Sequence, residues 1–490
     1  MKYEFSKAIL NNIARTYTYA HAKNAHRYDL GVNEYDPYAF FEELLAQEPF
    51  AAFMELDRYG FKNTKNALDR YKIPYTQEQE RKAKIFYDVT TKMQNDRSDY
   101  VHMYVEDEDL INTGVVLYRD PYILTTQDTL NVKRAIDELP TNRQTDNILY
   151  GHMIPNEIKD TKEQMDALNG CLENHIACLI GGAGTGKSYV TAEIINQLNK
   201  NGKNVAILAP THKAKEALQT KLKNGTVKTI HSFVHNPFDC DVIVIDESGM
   251  LSTPLFNKLM KIHRDQQLIF VGDKNQIPPV EYGRPFERIQ NRFKTFELIE
   301  NHRSEAPDII ALGREILGIP QNANMEFKNV EVVNSSKEAF ERGAEVVLTF
   351  TNANVKQVNE EQKIKNGTKS ISNNFSIGDV IIAKINDSER FYNGPLFRII
   401  ARNKIANQTN GRVIELKSAI DLDFNFDLAY GLTIHKSQGS EWDVVAYQPS
   451  ALDTRNLAYV AVTRAKKKLI IVGDGLQSEY MEERKWKQLQ

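Results

Sequence analysis

The residues with the clearest chemistry are Gly181-Gly182-Ala183-Gly184-Thr185-Gly186-Lys187-Ser188, which follow the apolar run from Ile176 to Ile180 and precede a helical pattern reaching about Leu198. The spacing G-x-x-x-x-G-K-S lets a backbone with few side chains curl around phosphate oxygens, so that successive N–H groups and a helix N-terminus point at the anion. In such a loop Gly182, Gly184, Thr185 and Gly186 form the cradle. Lys187 reaches the β- and γ-phosphates, and Ser188 holds Mg²⁺. The expected ligand is a nucleoside triphosphate with Mg²⁺, but the loop does not say what is done with it.

A second cluster supplies what hydrolysis needs. Asp246-Glu247 follows four aliphatic residues, Val242 to Ile245, so the pair sits where a buried strand delivers its C-terminal end. Asp246 there is a metal ligand and Glu247 polarises the attacking water. Gly272-Asp273-x-x-Gln276 ends the next apolar run and brings the Gln276 amide to the same crevice, to sense the γ-phosphate. Ahead of the loop, Gln164 in Thr161-x-x-Gln164 is placed to read an adenine edge, since an amide donates and accepts at once; a plain surface glutamine is the competing reading. Arg303 and Arg464 lie further on, and planar guanidinium groups brought across a cleft would stabilise charge on a transferring phosphoryl group. For either arginine alone, a surface ion pair is the ordinary alternative.

The elements that must position these residues follow from the pattern. At 490 residues the chain predicts about three domains. Its 41% hydrophobic and 26% charged residues are ordinary for a soluble globular protein. Sixty-two Lys+Arg against 65 Asp+Glu leave a formal charge of -3. No global basic field exists, so a nucleic-acid site has to be local. The three cysteines, Cys171, Cys178 and Cys240, show no C-x-x-C spacing and read as reduced structural thiols. With no apolar run long enough for a membrane span and no signal-peptide pattern at Met1-Lys2-Tyr3-Glu4, the expected location is the cytoplasm, without membrane partners.

The expected fold class is α/β. Residues 1–150 hold fifteen of the 22 tyrosines and no nucleotide motif. They read as a mainly helical accessory module, with helical patterns over Tyr38–Leu56, Thr76–Asn95 and Thr125–Leu139, the last opened by Thr125-x-x-Asp128. Its tyrosines read as packing residues more readily than as base platforms. From 151 to 300, helical patterns alternate with buried strands at Val205–Leu208, Val242–Ile245 and Leu268–Val271, a first parallel-sheet core. Residues 301–372 and 428–490 form a second, with strands at Glu345–Phe350, Val444–Tyr447 and Leu469–Val472. Residues 373–427, with alternating runs at Val380–Ala383 and Phe397–Ile400 and turns at Asn393-Gly394-Pro395 and Asn410-Gly411, read as a small β-barrel inserted in the second core.

Taken in order, the blocks TKEQ at 161, GGAGTGKS at 181, APTHKAK at 209, TIHSF at 229, VIDES at 244, VGDKNQIPPV at 271, ENHRS at 300, TFTNANV at 349, LTIHKSQGSEWD at 432 and VAVTRAK at 460 resemble the superfamily 1 helicases, in the branch that includes RecD and phage Dda. The resemblance covers about residues 155–475. It implies two RecA-like motor domains with ATP between them, movement 5′ to 3′ on single-stranded DNA, and action at junctions of single and double strand. It also implies strand-contacting roles for Thr211, His212, Thr229 and His231 in the first core, with Phe233 or His231 stacking on a base. In the second core the corresponding residues are Thr351, Asn352, Thr433 and His435. Hydroxyls, amides and imidazoles suit phosphate contacts without sequence readout, although several of these residues read equally well as helix caps. Glu441 would touch the ribose.

One departure stands out. Relatives place a β-hairpin pin between the T-x-H-S-type and D-E motifs, whereas here about fourteen residues separate His231 from Asp246. Either His235–Phe238 is a minimal wedge, or another element splits the duplex, or splitting is weak. The leading expectation is an ATP-dependent DNA helicase. The alternative is a single-strand translocase or protein-displacing remodeller, with residues 1–150 binding a replication or repair partner. A P-loop phosphotransferase leaves the second core and Arg464 unexplained.

Overall fold

The computed structural model describes residues 37–145, 161–319, 326–384 and 391–473 apart from short interruptions, together with a few positions before residue 37. The N-terminal module begins with helices Pro37–Gln47, Pro49–Met54 and Phe61–Arg70. They close on Phe41, Phe50 and Phe53, with the Phe41 and Phe53 rings edge to face at 5.5 Å. Tyr3, Tyr38, Tyr71 and Tyr75 pack around this cluster, the structural role expected for most tyrosines. The following helix, Gln77–Asn95, starts with a capping box in which Thr76 Oγ1 accepts from the Gln79 N–H (3.1 Å) and Gln79 Oε1 from the Thr76 N–H (2.9 Å). Strands β1 (Val101–His102), β2 (Val115–Tyr118) and β3 (Asp120–Thr126) form an antiparallel sheet in the order β1-β3-β2.

The next helix runs from Gln127 to Glu138, and its cap is Thr126, whose side chain accepts from the Thr129 N–H. Thr125 instead donates to the Asp99 carbonyl, and Asp128 accepts from Asn257 Nδ2 at 2.7 Å. The helix buries Val132, Ile136 and Leu139 in the same cluster as Ile245 and Phe270 of the first core. In return Tyr282 of that core packs among Val89, Met93 and Leu124 of the module. Two reciprocal insertions thus fix the module against the first core.

That core contains β4 (Ile176–Gly181), β5 (Val205–Ala209), β6 (Val227–Thr229), β7 (Val242–Ile245), β8 (Gln267–Gly272) and β9 (Lys294–Leu298), all parallel, in the order β6-β5-β7-β8-β4-β9. The four central strands are aliphatic along their length because apolar clusters cover both sheet faces. The second core starts with β10 (Val330–Val333) and β11 (Val346–Thr349).

The chain then leaves to form β12 (Val380–Ala383), β13 (Leu396–Ala401), β14 (Lys404–Asn407), β15 (Val413–Glu415) and β16 (Phe426–Leu428), an antiparallel sheet in the order β15-β14-β13-β12-β16. This insert has its own aromatic centre, with Phe391 and Phe426 rings 4.7 Å apart. Its Ile382 and Leu396 face the second core. Strands β17 (Gly431–Thr433), β18 (Trp442–Tyr447) and β19 (Ala465–Val472) complete the parallel order β10-β19-β18-β11-β17. Both cores are therefore mixed α/β layers with parallel sheets.

The two cores share a local design. In the first, β6 pairs with β5 and ends in Thr229-Ile230-His231; in the second, β17 pairs with β11 and ends in Thr433-Ile434-His435. Each threonine caps a short helix, and Thr211 after β5 and Thr351 after β11 accept backbone N–H bonds in the same way. Among the described residues no helix is long and apolar enough to cross a membrane. The three cysteines are free, and burial pushes the Cys171 and Cys178 thiols up.

Candidate nucleotide site between the two parallel sheets

Strand β4 delivers Gly181 to the glycine loop, and the helix Lys187–Lys200 leaves it. Gly184 and Gly186 have φ of 81° and 84°, the left-handed region that an L side chain resists, so glycine is required at both turns. Lys187 Nζ donates to the Gly181 and Gly182 carbonyls (2.6 and 2.8 Å), which centres its charge on the loop. Thr185 is buried and donates to the Gly182 carbonyl at 2.9 Å, tightening the same turn.

The acidic pair stands at the end of β7. The Asp246 N–H donates to the Leu208 carbonyl, and Ser248 Oγ donates back to the Ile245 carbonyl at 2.8 Å. Between them Glu247 adopts φ 51°, ψ 39°. A left-handed glutamate costs about 1–2 kcal/mol, and the bonds on either side hold it. Burial pushes the carboxyls of both residues up, and at Glu247 the Asp246 charge adds to burial to bring it to about 7. Lys187 and Arg464 act against this rise at Glu247. A carboxylate that takes a proton from water works in its ionised form. We therefore expect kcat/KM for nucleotide hydrolysis, which reports the free enzyme's groups, to fall about tenfold per pH unit below about 7. A pH profile of Glu247→Gln should lose this limb along with the activity.

Ser188 and Asp246 offer the oxygen donors expected to hold a divalent cation. Lys221 Nζ hydrogen-bonds Ser188 Oγ at 3.0 Å, and the Lys221 and Lys187 charges both favour the ionised Asp246, so positive charge is stabilised at this spot. Nothing in the sequence marked Lys221, which lies 33 residues beyond Ser188.

The second core reaches this site through the helix Arg455–Val462 and the residues after it. The Tyr459 hydroxyl accepts from the Ala183 N–H of the glycine loop (3.0 Å) and donates to Asp273 Oδ2 (3.0 Å). A Cβ on Gly182 would stand 3.1 Å from that hydroxyl, so this glycine leaves room for the neighbouring core. Asn456 Nδ2 donates to the Asn275 carbonyl beside Gln276, and Gln276 is half-buried at the same turn. Arg464 is buried, with Nε donating to the Val460 carbonyl and Nη1 to the Ser440 carbonyl, and its charge is felt at Glu247. Tyr459 was hidden in the sequence because an apolar helix reads as core, yet it belongs to this junction. Arg303 lies outside the described residues. Gln164 is buried on the first turn of the helix Lys162–Glu173, and Glu441 is exposed in the turn before β18.

The strand candidates divide. Thr211, Thr229, Thr351 and Thr433 all use their side-chain oxygen as helix caps, which leaves each hydroxyl proton able to donate elsewhere. His231, Asn352 and His435 are exposed, and His212 is half-buried. Phe233 is a correction. It is 2% exposed and packs with Ile245 and Phe270, so its ring is not available for a base. Its neighbour Phe238 is the exposed aromatic, edge to face with Phe233 at 5.4 Å and with Lys228 Nζ 4.7 Å from its ring. Lys213, beside His212, donates to the Lys436 carbonyl at 2.7 Å and lies over the Trp442 ring, a further link between the cores. Burial brings its ammonium down to about 7, with Arg464 and Lys436 adding to the effect.

Comparison with known proteins agrees with this geometry. An AAA domain family matches residues 160–324, and the UvrD-like helicase C-terminal domain matches residues 428–472. The ATP-dependent RecD2 DNA helicase of Deinococcus radiodurans is 27% identical over 354 residues, covering 64% of this chain and 49% of that protein. RecD, the RecBCD enzyme subunit of Buchnera aphidicola, is 23% identical over 64% of this chain and 73% of its own length. The ATP-dependent DNA helicase dda of phage T4 is 29% identical over 45% of this chain and 60% of its own length. The chain thus spans about half the length of RecD2. On these matches the chain is similar to the superfamily 1 helicases, in the RecD- and Dda-like branch.

Proposed function

We propose that this chain is an ATP-dependent DNA helicase that moves 5′ to 3′ on single-stranded DNA and separates the duplex ahead of it. The observation that carries the reading is the hydrogen bond of Tyr459, from the second core, to the glycine loop of the first, with the Arg464 charge near enough to favour the ionised Glu247. A phosphotransferase complete in one core has no use for such a junction. The names of the relatives RecD2 and Dda point the same way. In this reading residues 151–300 are the first RecA-like domain, 301–372 and 428–490 the second, 373–427 a small barrel, and 1–150 a mainly helical accessory module that can receive a replication or repair partner.

Gln164 reads the adenine edge and Glu441 meets the ribose. The loop N–H groups with Lys187 hold the β- and γ-phosphates. Glu247 accepts the proton of the attacking water as its oxygen bonds to the γ-phosphorus and the bond to the bridging oxygen breaks, releasing ADP and phosphate. Gln276 reports the γ-phosphate to the cleft. Arg464 and Arg303 steady the charge on the transferred group. Ser188 and Asp246 would hold Mg²⁺, which would neutralise charge on the phosphates when bound. The Thr-capped turns at 211, 229, 351 and 433, with His212, His231, Asn352 and His435, contact successive phosphates. Presenting the same device in both cores suits a polymer that repeats.

A single-strand translocase or protein-displacing remodeller is the second reading, favoured by the short connection after the helix Ile230–His235, which leaves Phe238 as the exposed tip. Unwinding of duplexes with a 5′ tail, a 3′ tail or none, with Lys187→Ala as control, separates these. Unwinding from the 5′ tail alone is expected. Unwinding from the 3′ tail alone overturns the polarity, and strand-stimulated ATPase without unwinding favours the remodeller. ATPase indifferent to nucleic acid removes both.

A further inference from the structure

A cleft of about 1410 Å³ opens where the N-terminal module and the two cores meet. Small-molecule sites occupy about 300–1,000 Å³, so this space suits a segment of polymer. One wall belongs to the second core and carries Asn352, Thr433 and His435, three residues already proposed to meet the strand. Another is the Ile277-Pro278-Pro279 stretch of the first core with Arg284 and Arg288. The third wall is the N-terminal module, through Gln94 and Asn95 at the end of helix Gln77–Asn95 and Tyr100 just before β1.

Tyr100 lines the cleft, unlike the similarly exposed Tyr87 and Leu117 of its module. Val101 and Leu124 beside it are buried, whereas its ring is 42% exposed on the cleft. Its backbone is nevertheless fixed: β1 pairs Val101 with Leu124, Thr125 Oγ1 donates to the Asp99 carbonyl, and the Tyr100 N–H donates to Ser98 Oγ. Lys133 Nζ stands 6.0 Å from the ring centroid. The module is itself anchored to the first core by Tyr282, so the ring keeps its place relative to the glycine-loop sheet. Charges in the cleft largely pair off, Arg288 with Asp137 and Arg284 with Glu287. An occupant held here is held by stacking and amide contacts more than by net field, which is how single strands are gripped without sequence preference.

We propose that the N-terminal module is the third wall of the strand path, with Tyr100 stacking on a base and the Gln94 and Asn95 amides meeting the backbone of single-stranded DNA. This rests on the helicase reading above. The test uses the full chain and an oligothymidylate, following ATPase against oligonucleotide concentration. Tyr100→Ala should raise the half-saturating concentration about 5- to 100-fold. Tyr100→Phe should restore it, and Tyr87→Ala, an exposed tyrosine of the same module outside the cleft, should leave it unchanged. Irradiation of an iodouracil-substituted strand should attach it to the peptide containing Tyr100. An unchanged half-saturating concentration in Tyr100→Ala, or adducts confined to the two cores, overturns the proposal while the helicase reading stands. An unsubstituted chain whose ATPase ignores the strand overturns both.

Discussion

Replacing Lys187 with alanine should lower kcat for ATP hydrolysis about 10²- to 10³-fold, the usual cost of losing one donor aimed at developing charge. The side chain is half-buried and sits at the first turn of the helix Lys187–Lys200, where helix dipole and loop N–H groups already favour an anion. Its ammonium is the mobile positive charge at the centre of the loop, donating to the Gly181 and Gly182 carbonyls. The stability cost is small by comparison. Two such bonds contribute about 1 kcal/mol each, which in a domain of this size moves the unfolding midpoint by a few degrees. Phosphate release and a thermal scan on the same sample check both halves. A variant that keeps its turnover would show that the loop holds something other than a reacting triphosphate.

Arg464→Lys should be the more damaging change, lowering kcat about 10³- to 10⁵-fold, as expected for a guanidinium that stabilises a transferring phosphoryl group. Arg464 is buried, and bonds to the Val460 and Ser440 carbonyls fix the plane of its fork. Lysine keeps the charge and loses the fork, so an effect here tests geometry rather than electrostatics in general. Because the arginine acts on the transition state, nucleotide affinity should change less than about tenfold, measured by titration with a fluorescent ATP analogue. A kcat within tenfold of the unsubstituted chain would reduce Arg464 to a structural brace, from just before β19, for the turn that precedes β18.

Much of this arrangement is legible in the residues themselves. Strands β4, β5, β7 and β8 announce themselves as aliphatic runs because both sheet faces are covered. β6 and β9 escape notice because they are edge strands, in which Lys228, Lys294 and Glu297 break the run. Thr125 and Thr126 offer the same capping chemistry, and only the turn geometry selects the second. Phe233 and Phe238 differ in burial by the curve of one connection, which composition does not encode. Residues whose partners lie far along the chain were the least visible. Lys221 meets Ser188, Lys213 meets Lys436, and Tyr459 meets Ala183 across 276 residues. The last two look unremarkable until the two sheets are set side by side.

The position of Tyr459 and Arg464 on one short stretch has a consequence for how fuel is used. Tyr459 sits on the helix Arg455–Val462 and Arg464 two residues beyond its end, with Thr463 Oγ1 bonded back to the Tyr459 carbonyl at 2.8 Å. Latch and trigger are thus cast in one piece. In the proposed helicase, a second core that moved away would take the hydroxyl from the Ala183 N–H and the guanidinium charge from Glu247 together, leaving bound ATP without either. In that reading, the Thr463–Tyr459 bond ties hydrolysis to closure of the two cores.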